Sequence, residues 1–288
     1  MKKIILLLVP FLVSSCAYNY VEEIHFRDNN TADVKLGLDF SKSLNSEQKD
    51  LIIDLISKTT KGFAEAITGQ KVDSAVSINK TIDQLFSQAK DSLKPVFYEM
   101  AFDTLLKITK DSLYVSIQKG DSLNQLTPKQ EKMVGDLTYY LFRKALVRLN
   151  MDINKKVMLF EFEFRNVSWD SLNHFNIAAF KKGGELAAIN EKYTSLTDLF
   201  PEWKGNTITR SNNNLNVTDV KGAAEPDEQT KKAMKDSYFI VRYYLPSKVR
   251  KCNNSLYKKI NSGTTLEFNH SFYDMFKGKQ SVSAVITY

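Results

Sequence analysis

Apolar and polar positions alternate from Tyr18 to Phe40. Tyr20, Glu22, Ile24 and Phe26 interleave with Val21, Glu23, His25 and Arg27; after Asp28-Asn29-Asn30, the residues Ala32, Val34, Leu36, Leu38 and Phe40 interleave with polar residues or Gly37. Period two on both sides of an Asp/Asn turn predicts a β-hairpin. From Ser46 to Gly69 the spacing changes to that of a helix: Leu51, Ile52, Leu55, Ile56, Phe63, Ala66 and Ile67 share one face, with Ser46 as N-cap. A second helix is predicted over Ile78 to Lys90. A third follows Pro95, on Val96, Phe97, Met100, Leu105, Leu106 and Ile108. A fourth opens at Thr127-Pro128 and carries Val134, Leu137, Leu141, Ala145 and Leu149. Residues 46–150 are thus expected to be a helical block.

Val157 to Val167 is the strongest strand signal, with Met158, Phe160, Phe162 and Phe164 on one face and Leu159, Glu161 and Glu163 on the other. Helices are expected over Asp170 to Lys181 and Gly183 to Leu199, and a weak hairpin or loop over Asn206 to Val217. Val220 to Asp227 reads as a linker. Strands are expected at Tyr238 to Leu245, Leu256 to Ile260, Thr264 to Phe268 and Ser281 to Tyr288. Strands at both ends with helices between them predict an α+β fold. It is built on a largely antiparallel sheet from the N-terminal hairpin and the C-terminal strands, with the helical block inserted, all in one domain over 16–288.

The first fifteen residues stand apart from this pattern. Lys2 and Lys3 precede an apolar run from Ile4 to Val13, the length of a secretory leader and about half that of a membrane span. Val13-Ser14-Ser15-Cys16 resembles the bacterial lipobox, in which small residues enter a peptidase groove and the thiol at Cys16 takes up diacylglycerol. Residues 1–15 are therefore expected to be a lipoprotein signal peptide and Cys16 the lipidated residue. A buried methylene contributes about 0.8 kcal/mol, so two or three acyl chains hold a protein on a membrane where one holds it marginally.

Composition narrows the field further. The formal charge is +7, two units of it in the leader, with acidic and basic residues interleaved along the rest. Such a balance does not point to nucleic acid. With Cys16 acylated, Cys252 is the remaining cysteine, so stability must come from a packed core, which a chain that is 43% hydrophobic can supply.

Three segments then suggest a relationship. Leu38-Asp39-Phe40-Ser41, the strand Phe160-Glu161-Phe162-Glu163-Phe164 leading to Ser171-Leu172-Asn173, and Tyr243-Tyr244-Leu245-Pro246-Ser247-Lys248-Val249 followed by Asn253-Asn254 occur in that order. They resemble envelope lipoproteins of Bacteroidota related to the LppM-type domain, over about half the chain. The resemblance implies fold and location more than activity.

Candidate chemistry is sparse. Asp followed by Ser or Thr and a small or aliphatic residue occurs at Ser74, Ser92, Thr104, Ser112, Ser122 and Ser171. The triplet is similar to the O-glycosylation sequon of exported Bacteroidota proteins, although Asp-Ser pairs also cap helices. His25, His174 and His270 show no metal-ligand spacing. Cys252 lies beside Lys251, but no base or orienting group can be named for a catalytic thiol. Glu161 and Glu163 share a strand face and could pose as a paired-carboxylate site, though the solvent face of a half-buried strand also explains them and is the preferred reading. Lys248, Arg250, Lys251, Lys258 and Lys259 form a basic cluster suited to lipid headgroups, to anionic glycan or to guarding a sheet edge. No pattern implies a cofactor or a metal.

The expected protein is non-enzymatic and lipid-anchored, with a structural or binding role at the cell envelope. Its partners are the membrane, through acyl chains on Cys16, and an envelope protein or glycan. Surface-exposed Bacteroidota lipoproteins carry an acidic run directly after the cysteine; here Ala17-Tyr18-Asn19-Tyr20 intervenes, so the periplasmic face of the outer membrane is expected. The alternatives are a periplasmic hydrolase, with Glu161 or His174 converging, and a carbohydrate-binding module, with Trp169, Trp203 and tyrosines lining an exposed face.

Overall fold

Asn30 takes a left-handed conformation (φ 57°) at the tip of the first hairpin, where Arg27 and Thr31 close the turn through their backbones. That turn lets β1 (Asn19–Phe26) fold back on β2 (Thr31–Asp39), with Asn19 opposite Asp39 and Phe26 opposite Ala32. The computed structural model describes residues 17–43, 84–85, 87–88, 94–101, 111, 128, 132, 136, 139–140, 143–169, 201–210, 227–277 and 281–288. The expected helices over Ser46 to Gly69, Asp170 to Lys181 and Gly183 to Leu199 lie outside these residues, as does the linker apart from Asp227.

Two strands appear where helix is expected. β3 (Val96–Ala101) and β4 (Ala145–Asp152) pair antiparallel, Val96 opposite Met151 and Ala101 opposite Leu146. In β4 Ala145, Val147, Leu149 and Met151 are all buried, so the true period is two. The helical expectation rested on Ala145 and Leu149, and a spacing of four fits both a helical turn and two strand repeats. The helical block is therefore interrupted at 96–101 and ends before 145. Within it Gln84, Leu85, Ser87, Gln88, Asp111, Pro128, Lys132, Asp136, Tyr139, Tyr140, Arg143 and Lys144 are helical.

β5 (Val157–Ser168) runs antiparallel between β4 and β2. The next described strands are β6 (Glu202–Lys204) and β7 (Thr207–Arg210), a short hairpin turning at Gly205 (φ 53°). Helix α1 (Glu228–Asp236) follows, capped by the Asp227 side chain, which accepts from the Thr230 N–H. Then come β8 (Tyr238–Tyr244), β9 (Lys251–Cys252), β10 (Lys258–Ile260), β11 (Thr265–Ser271), the short helix α2 (Phe272–Phe276) and β12 (Ala284–Thr287).

These strands make two sheets. The larger has eight strands in the order β10-β11-β8-β1-β2-β5-β4-β3; the smaller has four, in the order β6-β7-β12-β9. Every pairing is antiparallel except β1 with β8, where Tyr20 lies opposite Phe239 and His25 opposite Tyr244. The fold is α+β with strand predominant. Ile24, Val34, Leu36, Phe160, Phe162, Phe164, Val241 and Phe268 bury one face of the large sheet, and Ile208, Ala284 and Ile286 of the small sheet join the same core. Each buried Val, Leu, Ile or Phe among them stabilises the fold by roughly 1.5–3 kcal/mol through water exclusion.

Candidate functional site

β1 places a glutamate on its apolar face. Glu22 follows Tyr20 and precedes Ile24 and Phe26 at period two, so alternation alone drives it inward, and it is fully buried. Opposite it, β7 turns Arg210 in beside Ile208, also buried. The Arg210 Nη1 donates to Glu22 Oε1 and, at 3.0 Å, to the Tyr243 hydroxyl of β8. Tyr243 also hydrogen-bonds the carboxylate, and Tyr257 stacks on Tyr243 with ring centroids 6.1 Å apart. Burial raises the Glu22 carboxyl above its usual range despite Arg210 beside it. Burial also disfavours the Arg210 cation, but the Glu22 carboxylate and the two tyrosines keep it firmly protonated. Among the described residues nothing donates a hydrogen bond to Glu22 Oε2. One charge pair thus joins the two sheets inside the core, and losing either partner leaves an uncompensated buried charge.

Around this pair the aromatic side chains close off water. Phe26 meets Trp169 at 5.1 Å, Trp203 at 4.9 Å and Tyr243 at 5.8 Å between centroids. The Trp203 Nε1 donates to the Gly205 carbonyl at 2.7 Å and to the Tyr288 hydroxyl at 2.8 Å. Trp169 and Trp203 are 0% and 5% exposed, so neither offers a face to sugar, contrary to what a carbohydrate-binding module on these rings requires.

The opposite face of the large sheet carries charge in rows. Arg242 donates to Glu267 at 2.7 Å and to Glu23 at 3.0 Å, across β11, β8 and β1. Lys35 stands next by register, between Glu23 and Glu163. Arg148 then pairs with Glu163 at 2.6 Å and with Glu99 at 2.7 Å, and Arg165 bridges the same two glutamates at 3.0 and 3.2 Å. The two glutamates of the expected carboxylate pair therefore have different settings. Glu163 is buried between two guanidinium groups. Glu161 is half-buried over Gly37, and burial raises its carboxyl, offset by Lys35 and Arg148. Glu163 is thus less exposed than a plain solvent-face reading of the strand expects.

His25 and His270 do not converge. His25 stacks on Tyr244 at 3.9 Å on the charged face, while His270 tilts against Phe268 at 4.6 Å on the core-facing side. Burial lowers both imidazoles. His174 lies outside the described residues. Cys252 is a free, half-buried thiol in β9, its Sγ 3.4 Å from the Asn254 carbonyl. Among the described residues no group of His, Cys, Asp and Glu could hold a metal ion, and no helix is long and apolar enough to cross a membrane.

No known protein family, curated protein or solved structure matches this chain.

Cys16 and the six sequon positions Ser74, Ser92, Thr104, Ser112, Ser122 and Ser171 also lie outside the described residues. The residue after Cys16 does not. Ser43 donates through Oγ to the Ala17 carbonyl at 2.6 Å, and the Tyr18 N–H donates to Ser237 Oγ at 3.0 Å. Tyr18 is buried between Phe40 and Phe272. The chain is thus fixed to the folded body immediately after Cys16. The Glu22–Arg210 pair is the feature the sequence reading missed. Its signal was a carboxylate in phase with Ile24 and Phe26, although nothing local names the partner.

Proposed function

We propose that this is a non-enzymatic, lipid-anchored protein of the cell envelope with a structural or binding role, held by acyl chains on Cys16 at the periplasmic face of the outer membrane. The observation that carries the reading is the fixing of Ala17 and Tyr18 to the body. With no flexible stalk after it, lipid on Cys16 holds the folded domain against the membrane surface. Adjacent residues span only about 3.8 Å, so the start of β1 lies at the headgroups.

The state of Glu22 and Glu23 supports the periplasmic side. A surface-export signal after the cysteine has to be read as an accessible acidic run. Here Glu22 is sealed in the core with Arg210 and Glu23 is bound by Arg242. A structural or binding role is favoured over hydrolysis because Glu163 is held by two arginines and His25 and His270 face opposite sides of the sheet. The segments resembling LppM-type lipoproteins fall on the end of β2, on β5 and at the exit of β8, and that kinship belongs to the same proposal.

Intact mass of the protein extracted in detergent from its native host tests the anchor. The expected mass corresponds to residues 16–288 plus acyl chains; an unacylated chain that retains Met1 overturns the reading. Protease treatment of intact cells tests the side of the membrane, and loss of the protein without permeabilisation overturns the periplasmic assignment.

A further inference from the structure

β9 is the outer strand of the small sheet and β10 the outer strand of the large one, and the chain brings both to the same flank. The Val249 N–H donates to the Gly263 carbonyl at 2.9 Å, tying the segment before β9 to the turn after β10. The Lys259 Nζ donates to the Val249 carbonyl at 3.1 Å, which places its ammonium between Lys248 and Arg250 in the chain. Lys251 follows on β9, and Lys258 lies on the opposite face of β10 from Lys259, across from Glu267 by register. All five side chains are exposed, and none has a carboxylate within ion-pair distance among the described residues. On the outer face of the large sheet, by contrast, Arg242, Arg148 and Arg165 each bind two glutamates. Here the four cations Lys248, Arg250, Lys251 and Lys259 share one seam, and among the described residues no carboxylate lies within ion-pair distance to offset their repulsion.

We propose that this seam binds an anionic polysaccharide. Guarding a sheet edge requires a lysine or two on the edge strand; it does not explain Lys248 and Arg250, which lie in the connection ahead of β9. Three features narrow the partner. The first is distance from the anchor. Ala17 leaves the sheet at the start of β1, whereas Ile260 is linked by register through Thr265 and Tyr244 to His25 near its end. A strand rises about 3.3 Å per residue, so most of the length of β1 separates seam from tether, well beyond a Debye length of about 8 Å at physiological salt. The protein's own membrane is therefore poorly placed to neutralise the seam. The second is the absence of a stacking platform. Among the described residues Tyr243 and Tyr257 are buried, and Tyr244, partly exposed at the end of β8, has a ring face covered by His25 at 3.9 Å, which leaves unpaired bases little free ring to stack on. The third is the lack of an apolar centre: among the described residues Ile260 on β10 and Val285 on β12, in different sheets, are the large apolar side chains exposed near the seam, whereas a protein interface is built on a clustered core. A charged, flexible, weakly apolar polymer fits what remains. The polysaccharide class rests on the envelope location proposed above, while the polyanion chemistry rests on the seam alone.

The test uses the full chain purified in non-ionic detergent and four probes: polygalacturonate, neutral dextran, vesicles of phosphatidylglycerol and phosphatidylcholine at 3:7, and a twenty-residue thymidine oligonucleotide. The expected result is binding to polygalacturonate and not to dextran, weakening steeply with salt. Combined Lys248→Gln, Arg250→Gln, Lys251→Gln and Lys259→Gln should lower that affinity at least tenfold and flatten the salt dependence, with thermal unfolding unchanged. A control with Lys42→Gln, Lys155→Gln and Lys156→Gln, near the tether, should bind as the parent does. Failure to bind polygalacturonate overturns the proposal. So does equal loss in the control, which would make the binding a matter of overall charge. Tighter binding to the vesicles or the oligonucleotide overturns the polysaccharide assignment. The acylation state found by mass is a separate readout, so a failed anchor and a failed seam are distinguishable.

Discussion

Arg210 and Glu22, 188 positions apart in sequence, form a buried ion pair between β7 and β1, and through it the small sheet is bolted to the middle of the large one. Both side chains are almost wholly enclosed, so water cannot replace either partner. The arrangement is high in stakes and low in net gain, because desolvation offsets most of the attraction.

Replacing Arg210 by Met should therefore destabilise the protein by about 3–5 kcal/mol, and Glu22→Leu by a similar amount. The double replacement should recover most of that loss. Denaturant midpoints for the two single variants and the double variant measure it, and strict additivity of the two losses would show that the pair is not coupled.

His25 supplies a pH dependence. Burial holds its imidazole below the ordinary value, with Glu23 and Asp33 acting the other way. The folded protein then binds that proton less readily than the unfolded chain does. The contribution is present above the unfolded value of about 6.5 and is lost as pH falls through the lower folded value. Burial lowers His270 in the same sense. His25→Phe keeps a ring against Tyr244 and should reduce the loss of stability between about pH 7 and pH 5. An NMR titration of His25 with a midpoint above that of a model imidazole would contradict this account.

Asp33 acts at lower pH. Its partial burial pushes the carboxyl up, but the Asn166 N–H at 2.7 Å and the Arg27 guanidinium hold it below its ordinary value. Its stabilising effect is present above the unfolded value and disappears as pH falls through the folded one. Asp33→Asn should lower stability at pH 7 by about 1 kcal/mol and flatten the acid limb of the unfolding curve. An unchanged acid limb in Asp33→Asn would place the effect elsewhere.

A side chain at position 37 would crowd a neighbour. A Cβ at this position of β2 would come 3.3 Å from Glu161 Cγ and 3.6 Å from the Phe160 carbonyl oxygen. Gly37→Val should destabilise by about 1–3 kcal/mol through overpacking. Adding Glu161→Ala should restore part of it, and the double-variant cycle reads the coupling directly. Equal losses with and without Glu161→Ala would assign the strain to the backbone instead.

The Trp203 indole has two acceptors, the Gly205 carbonyl and the Tyr288 hydroxyl. Tyr288→Phe leaves one of them, so a loss of only about 0.5–1.5 kcal/mol is expected. Trp203→Ala opens a cavity beside Phe26 and Trp169 and should cost about 3–5 kcal/mol. Thermal unfolding of the two variants gives the comparison, and a Tyr288→Phe loss as large as that of Trp203→Ala would mean that the hydroxyl does more than accept one bond.

What the sequence by itself determined is local. Alternation around Asp28-Asn29-Asn30 specified the β1–β2 hairpin, the run from Met158 to Phe164 specified β5 and its buried face, and β8, β10, β11 and β12 were legible within a few residues, whereas the two-residue β9 was not. These readings succeed because side-chain period and turn chemistry act between neighbours. β4 was misread as helix because Ala145 and Leu149 satisfy both periods, as Val96 and Met100 do in β3, and the choice falls to the strand edges on which they pair, β5 for β4 and β4 for β3. Only the tertiary structure decided that β1 runs parallel to β8, that Arg210 is the partner of Glu22, that Trp169 and Trp203 turn inward, and that Lys259 joins Lys248 and Arg250. Each of these depends on groups brought together across long stretches of chain. Local propensity is silent there, and the exclusion of water from a shared core chooses the arrangement.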